Sequence, residues 1–315
     1  MKAGRLLSQY GIVAILILLM AIFGFGSNTF FSVSNFFNII RQITVLAIIT
    51  IGMSFVLIAG GIDLSVGAQL SFIGVVTATL FSKFNLDPFL SIVLGIGLAT
   101  LVGFLNGLFI SCTRVPPLIA TLAMQQIITG LGYIISKGRP IYGLPESVKY
   151  IGQGYVGSFP FPPVIMLICI AFGLFVLNKT YLGRSFYVIG NNEEVGRLSG
   201  IKTKRVKTIA FALCGMLTGI AAVIMMARIN SGSPTVGKGF EMDVLTAAVL
   251  GGVSVSGGEG KLSGAIIGAL IIGVLSNGLI IMNVGEYYQM VIKGLVLAAA
   301  VGFDSIKNMR LRSAA

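Results

Sequence analysis

The chain has 315 residues, with no histidine, no tryptophan, three cysteines and only 10 acidic side chains. Without histidine, a Ser-His hydrolase is excluded, as are the usual His-ligated metal centres. Cys112, Cys169 and Cys214 are scattered and lack metal-ligand spacing; each lies in or at the end of an apolar run and reads as a small packing residue. No G-x-x-x-x-G-K-[ST] loop is present, so nucleotide hydrolysis is not expected of this chain, and no cofactor is implied. Asp63 is the clearest carboxylate near the membrane interior, but no second one lies close to it in sequence. An intramembrane aspartic protease therefore has little basis, because Asp243 and Asp304 fall near predicted span ends.

Apolar residues are what the chain has in abundance. It is 56% hydrophobic and 10% charged, with a mean hydropathy of +0.98. Several runs are long enough to cross a hydrocarbon core about 30 Å thick. The expected fold is all-α: a polytopic transmembrane helical bundle of about ten spans, forming one domain over residues 1–315 and surrounded by membrane lipid. A formal charge of +12 would point to nucleic acid in a soluble chain. Here loop charges that fix orientation explain it, and no nucleic-acid partner is expected.

In order, the predicted spans are Tyr10–Gly26, Ile43–Ala59, one ending near Ser82, Pro88–Cys112, Leu118–Ser136, Pro162–Asn178, Thr208–Ala227, a short one at Met242–Val255, Leu262–Met282 and Gly285–Phe303. Arg114 with Pro116-Pro117 opens the fifth. Gly-, Pro- and Tyr-rich residues 137–161 and residues 228–241 read as loops. Under this count both termini share a side with the loop Lys179–Lys207. That side carries 14 basic residues against six opposite, which places it in the cytoplasm of a bacterial inner membrane.

Two Gly-rich stretches resemble each other. Gly60-Gly61-Ile62-Asp63-Leu64-Ser65 aligns with Gly251-Gly252-Val253-Ser254-Val255-Ser256 at one constant offset, each between apolar runs. Such pairs point to an internal repeat with Gly-interrupted helices near a transport path, although 42 glycines also produce chance doublets.

Candidate path residues are Asp63, Gln69, Asn106, Gln125, Asn277, Tyr288 and Gln289, whose side chains can meet sugar hydroxyls or ring faces. Each has a plainer reading. Asp63 suits a helix N-cap, the amides suit interhelical hydrogen bonding, and Tyr287-Tyr288 suit an interfacial anchor. Lys293, near the middle of the last span, has Glu286 two turns earlier on the same face, which favours pairing inside the protein.

The longest polar stretch, Lys179–Lys207, holds seven of the 22 basic residues. Asn191-Asn192 before Glu193-Glu194 predicts a capped helix of about Glu193–Ser199, closed by Gly200. A docking surface and an ordinary loop turn both fit it.

Taken together, the stretches NFFNIIRQ (35–42), GGIDLSVGA (60–68), LIATLAM (118–124), GNNEEVGRLSGI (190–201), LGGVSVSGGEGKLSGAIIGALIIGVLSNGL (250–279) and YYQMVIKGLV (287–296) resemble the permease subunits of bacterial monosaccharide ABC importers, the ribose-permease-like family. The resemblance implies a homodimer, or a pair with a close paralogue, enclosing one path. It also implies two cytoplasmic ABC ATPase subunits and an extracytoplasmic sugar-binding protein. The matching cytoplasmic loop contacts the ATPase in that family, which makes residues 192–200 a coupling helix with Asn192, Glu193, Glu194, Arg197 and Leu198 at its contact surface. Ribose is the leading sugar; other sugars, autoinducer-2, nucleosides and amino acids are carried by related permeases. An ion-coupled secondary carrier is the rival from another class.

Overall fold

The computed structural model describes residues 2–113 and 115–313; Arg114 lies outside the described residues. The ten predicted spans correspond to helices α1 (Lys2–Gly26), α2 (Val33–Ile58), α3 (Val66–Ser82), α4 (Pro88–Thr113), α5 (Pro117–Ser136), α7 (Pro162–Lys179), α10 (Thr203–Ile229), α11 (Phe240–Leu250), α12 (Leu262–Ile281) and α13 (Glu286–Ser313). Six of them are long and apolar enough to cross a membrane, and α3 and the 12–26 part of α1 are shorter apolar helices. Sequence and capping chemistry agree at many ends. Ser32 Oγ accepts from Asn35 N–H to start α2, and proline occupies the first turn of α5 and α7.

The bundle is built around α2 and α10. Every α2 residue from Ile43 to Ile58 is buried, and α10 buries most of its length against α2, α3 and α4. Small residues allow this close approach: a Cβ on Gly103 or Gly107 would strike the α10 backbone at Phe211 or Thr208. Leucines and phenylalanines of α4, together with apolar faces of α5 and α7, point outward, as a lipid-facing shell requires.

Three expectations are corrected. The stretch 137–161 is not all loop: it holds α6 (Glu146–Gln153) and a small hairpin of β1 (Tyr155–Val156) and β2 (Phe159–Pro160). The polar stretch after α7 contains two helices, α8 (Tyr181–Asn191) and α9 (Glu193–Leu198), where the sequence predicted one. The eighth span is an incomplete helix. Eleven residues of α11 rise only about 16 Å at 1.5 Å each, half of a hydrocarbon core.

A non-helical strap, residues 230–239, leads into α11. It starts at Asn230 in the left-handed region (φ 54°) and ends at Gly239 (φ 78°). Gly232 exchanges two backbone hydrogen bonds with Ile141, at 2.9 and 2.8 Å. Gly237 N–H then donates to Ser71 Oγ at 2.8 Å, farther along α3. These bonds give the irregular backbone of the strap protein partners in place of helical ones.

The two Gly-rich turns share a construction. After α2, Gly60 (φ 79°) follows the helix and Gly61 N–H reaches back to Val56 C=O; after α11, Gly252 (φ 84°) and the Val253 N–H to Ala248 C=O bond repeat the pattern. Helix ends therefore match Gly60 to Gly252, one residue beyond the Gly60–Gly251 register read from sequence. One step later the sequence register returns: Asp63 Oδ1 accepts from Ser65 N–H, and Ser254 Oγ accepts from Ser256 N–H.

Candidate functional site

The strap, α3 and α5 line a partly open cavity of about 210 Å³. It is smaller than the roughly 300–1,000 Å³ of drug-sized ligand pockets, so it suits a small polar solute. Ser71, Gln125, Thr129, Tyr133, Lys238 and Glu241 give it polar walls, and Phe72 and Pro234 give it apolar ones. Glu241 lies in the first turn of α11 and is 7% exposed. Its Oε1 accepts from Gln125 Nε2 at 3.1 Å, while its Oε2 is buried without a hydrogen-bond partner. That second oxygen sits over Gly67, where a Cβ would collide with it and would lie 2.6 Å from the Gly237 carbonyl oxygen. The absence of a side chain at residue 67 is what admits both the strap and the carboxylate.

Of the predicted path residues, Gln125 is the one that lines this cavity. Asp63, Gln69 and Asn106 lie elsewhere, converging in the bundle interior around Ser65, each no more than 1% exposed. Asp63 is not the cap of α3; that position is Ser65, which makes no side-chain cap bond. Asn277 faces Asn35 across the α12–α2 contact, with reciprocal amide bonds of 3.0 and 3.1 Å. Tyr288 is 72% exposed at the start of α13, and Gln289 Nε2 donates to Val284 C=O at 2.8 Å. Lys293 pairs inside the protein as expected, but with Asp243 Oδ2 on α11 at 2.6 Å and not with Glu286.

Sequence reasoning missed Glu241 because it stands at the end of a stretch that reads as loop. Glycines 232, 237 and 239 with Pro234, spaced like a turn region, gave no sign that the strap runs beside α3.

At the polar end of the bundle, α9 is a short, well-capped helix. Asn192 Oδ1 accepts from Glu194 N–H and Val195 N–H at 2.9 and 3.1 Å. Arg197 Nε donates to Glu194 Oε2 at 3.0 Å, and this hydrogen bond with the guanidinium charge holds the Glu194 carboxyl below its ordinary range. Lys207 pairs with Glu193. Leu198 is 75% exposed beside these charges, an apolar knob on a charged helix.

The family model described as "Branched-chain amino acid transport system / permease component" matches residues 35–301. The ribose import permease of Escherichia coli K12 is 38% identical over 307 residues, covering 96% of this chain and 95% of the relative. The ribose import permease of Bacillus subtilis is 39% identical over 295 residues, covering 93% and 91%. The L-arabinose transport system permease of Escherichia coli K12 is 37% identical over 316 residues, covering 98% and 94%. No solved structure matches the chain. With six helices long and apolar enough to cross a membrane among the described residues, and similarity over nearly its full length, the chain belongs to this family of membrane-spanning transport permeases, in its ribose-permease-like branch.

Proposed function

We propose that the protein is the membrane subunit of an ATP-driven importer for a monosaccharide, with ribose as the leading solute. The observation that carries this reading is the cavity beside Glu241, whose amide, hydroxyl and carboxylate groups match a neutral polyol, on a chain similar throughout to ribose and arabinose permeases. The path residues of this proposal are Gln125 and Glu241; Asp63, Gln69, Asn106 and Asn277 hold the walls in place. Two copies, or one copy and a close paralogue, enclose the path. An extracytoplasmic sugar-binding protein delivers the solute, and cytoplasmic ABC ATPase subunits dock on α9 through Glu193, Glu194, Arg197 and Leu198, with both termini on that side. ATP binding then shifts a two-state inward/outward equilibrium, and the permease itself needs no catalytic residue.

The test is uptake of labelled ribose, arabinose and allose into proteoliposomes that contain the protein with its co-purifying ATPase and binding protein. ATP-dependent uptake of one sugar supports the reading. Uptake that survives ATP depletion and collapses with an uncoupler overturns it in favour of an ion-coupled carrier.

A further inference from the structure

The turn between α2 and α3 holds a carboxylate in an unusual state of hydrogen bonding. Asp63 is fully buried. Its Oδ1 accepts from Ser65 N–H at 2.9 Å, from Ser65 Oγ at 2.5 Å and from Asn106 Nδ2 at 3.4 Å. Ser65 Oγ spends its one proton on Asp63 and accepts from Gln69 Nε2 and Asn106 Nδ2, both at 2.9 Å, so its capacity is full. Two acceptors of the same network remain: Asp63 Oδ2 and Gln69 Oε1 are buried with no donor. Gln69 is itself 0% exposed.

Among the described residues, Asp63 takes part in none of the ion pairs. The elements around it present Thr121 of α5, which accepts from Leu64 N–H, Asn106 of α4, and the Cys214 thiol of α10 as the other titratable group facing it. An ionised carboxylate buried in this way carries a large desolvation cost that hydrogen bonds to one oxygen do not offset. Two orphan acceptors in one closed network, beside one uncompensated negative charge, have the chemistry of a site for a single positive charge.

We propose that Asp63 and Gln69 hold one monovalent cation, a proton or a sodium ion, at this turn. Either source neutralises the buried acid: a proton on Oδ2 turns an orphan acceptor into a donor, and a sodium ion takes oxygen ligands, the unpartnered acid and amide oxygens among them. The occupied turn fixes the start of α3, the wall on which the strap rests. This inference stands apart from the identity of the solute, because neither Asp63 nor Gln69 lines the cavity.

The experiment uses the purified full-length protein in detergent. Its melting temperature is measured in sodium chloride and in choline chloride at equal ionic strength. The infrared band of a protonated carboxyl group is compared between wild type and Asp63→Asn. A sodium-dependent rise in melting temperature, absent in Asp63→Asn, assigns a sodium ion. Indifference to sodium, with a protonated-carboxyl band in the wild type that Asp63→Asn lacks, assigns a proton. Gln69→Met, which removes one orphan acceptor and keeps the acid, is the companion variant where Asp63→Asn does not fold; it is expected to weaken the sodium response several-fold or to shift the band. A sodium-indifferent wild type with no band assignable to Asp63 overturns the proposal.

Discussion

Gly190, the penultimate residue of α8, lies directly against the carbonyl of Ile58 at the end of α2, so that a Cβ there would overlap that oxygen and lie 2.5 Å from Gly258 N. Gly258 N–H in turn donates to Ile58 C=O at 3.0 Å. Gly257 closes the junction, since its Cβ would come within 2.9 Å of both Gly190 O and Gly60 Cα. Three backbones thus meet without an intervening side chain: the helix next to α9, the turn after α2 and the turn after α11. Tyr187 Oη, bonded to Gly260 C=O at 2.9 Å, adds a further strut. On the proposed reading, in which an ATPase docks on α9, this junction is the route from α9 to both Gly-rich turns.

Gly190→Ala is therefore expected to impair coupling more than it impairs insertion. Overpacking of this kind costs on the order of 1–3 kcal/mol. The comparison is Gly200→Ala, where the left-handed backbone (φ 82°) is strained but nothing lies within 4 Å of the new Cβ. Thermal melts and ATP-driven uptake measured on both variants separate the two effects. Similar uptake in both would remove the junction from the coupling route.

The α9 surface itself is tested by Glu193→Arg with Glu194→Arg. The Asn192 cap remains, so the helix should persist, but the pairs with Lys207 and Arg197 become repulsions. ATP hydrolysis by the partner subunits is expected to lose its dependence on sugar delivery, with membrane insertion unchanged. Normal uptake in the double variant would rule out α9 as the docking surface.

Asn35 and Asn277 give a prediction about packing. Asn277→Leu leaves the Asn35 amide buried with its cross-helix partner gone, a loss of about 1–3 kcal/mol. The double change Asn35→Leu with Asn277→Leu should recover much of it, because two matched apolar side chains need no partner. A double-mutant cycle by thermal unfolding measures the coupling; an additive result would show that the pair contributes nothing as a pair.

The legible parts of this molecule are those set by hydropathy and local chemistry. Ten apolar runs gave ten helices, and Asn192 before two glutamates marked α9 to within a residue. The sequence predicts internal pairing for Lys293 but points to a partner on its own helix, since sequence spacing reports i,i+7 neighbours and not a contact 50 residues away. The place of Asp63 between apolar runs marks it in the sequence, while its network with Asn106 and Gln69 depends on α3 and α4 lying side by side. The strap was illegible for a physical reason. Its position depends on missing side chains at Gly67 and Gly237, and a glycine that marks a turn in sequence is indistinguishable from one that admits a neighbouring backbone.

Gln125 and Glu241 separate a structural role from a transport role. Gln125→Leu removes the side-chain donor to Glu241 Oε1 from a buried carboxylate whose Oε2 already lacks a partner, so stability and uptake should fall together. Glu241→Gln keeps size and one acceptor oxygen; it should stay folded and raise the apparent KM for the delivered sugar at least several-fold, because a carboxylate accepts more strongly from hydroxyls than an amide does. Gln125→Leu combined with Glu241→Leu removes the unsatisfied charge and is expected to regain stability without regaining uptake. Uptake that returns with stability in that double variant would make the pair a brace for the strap, and would move the solute's contacts along α5 to Thr129 and Tyr133, one and two turns beyond Gln125 in the same cavity.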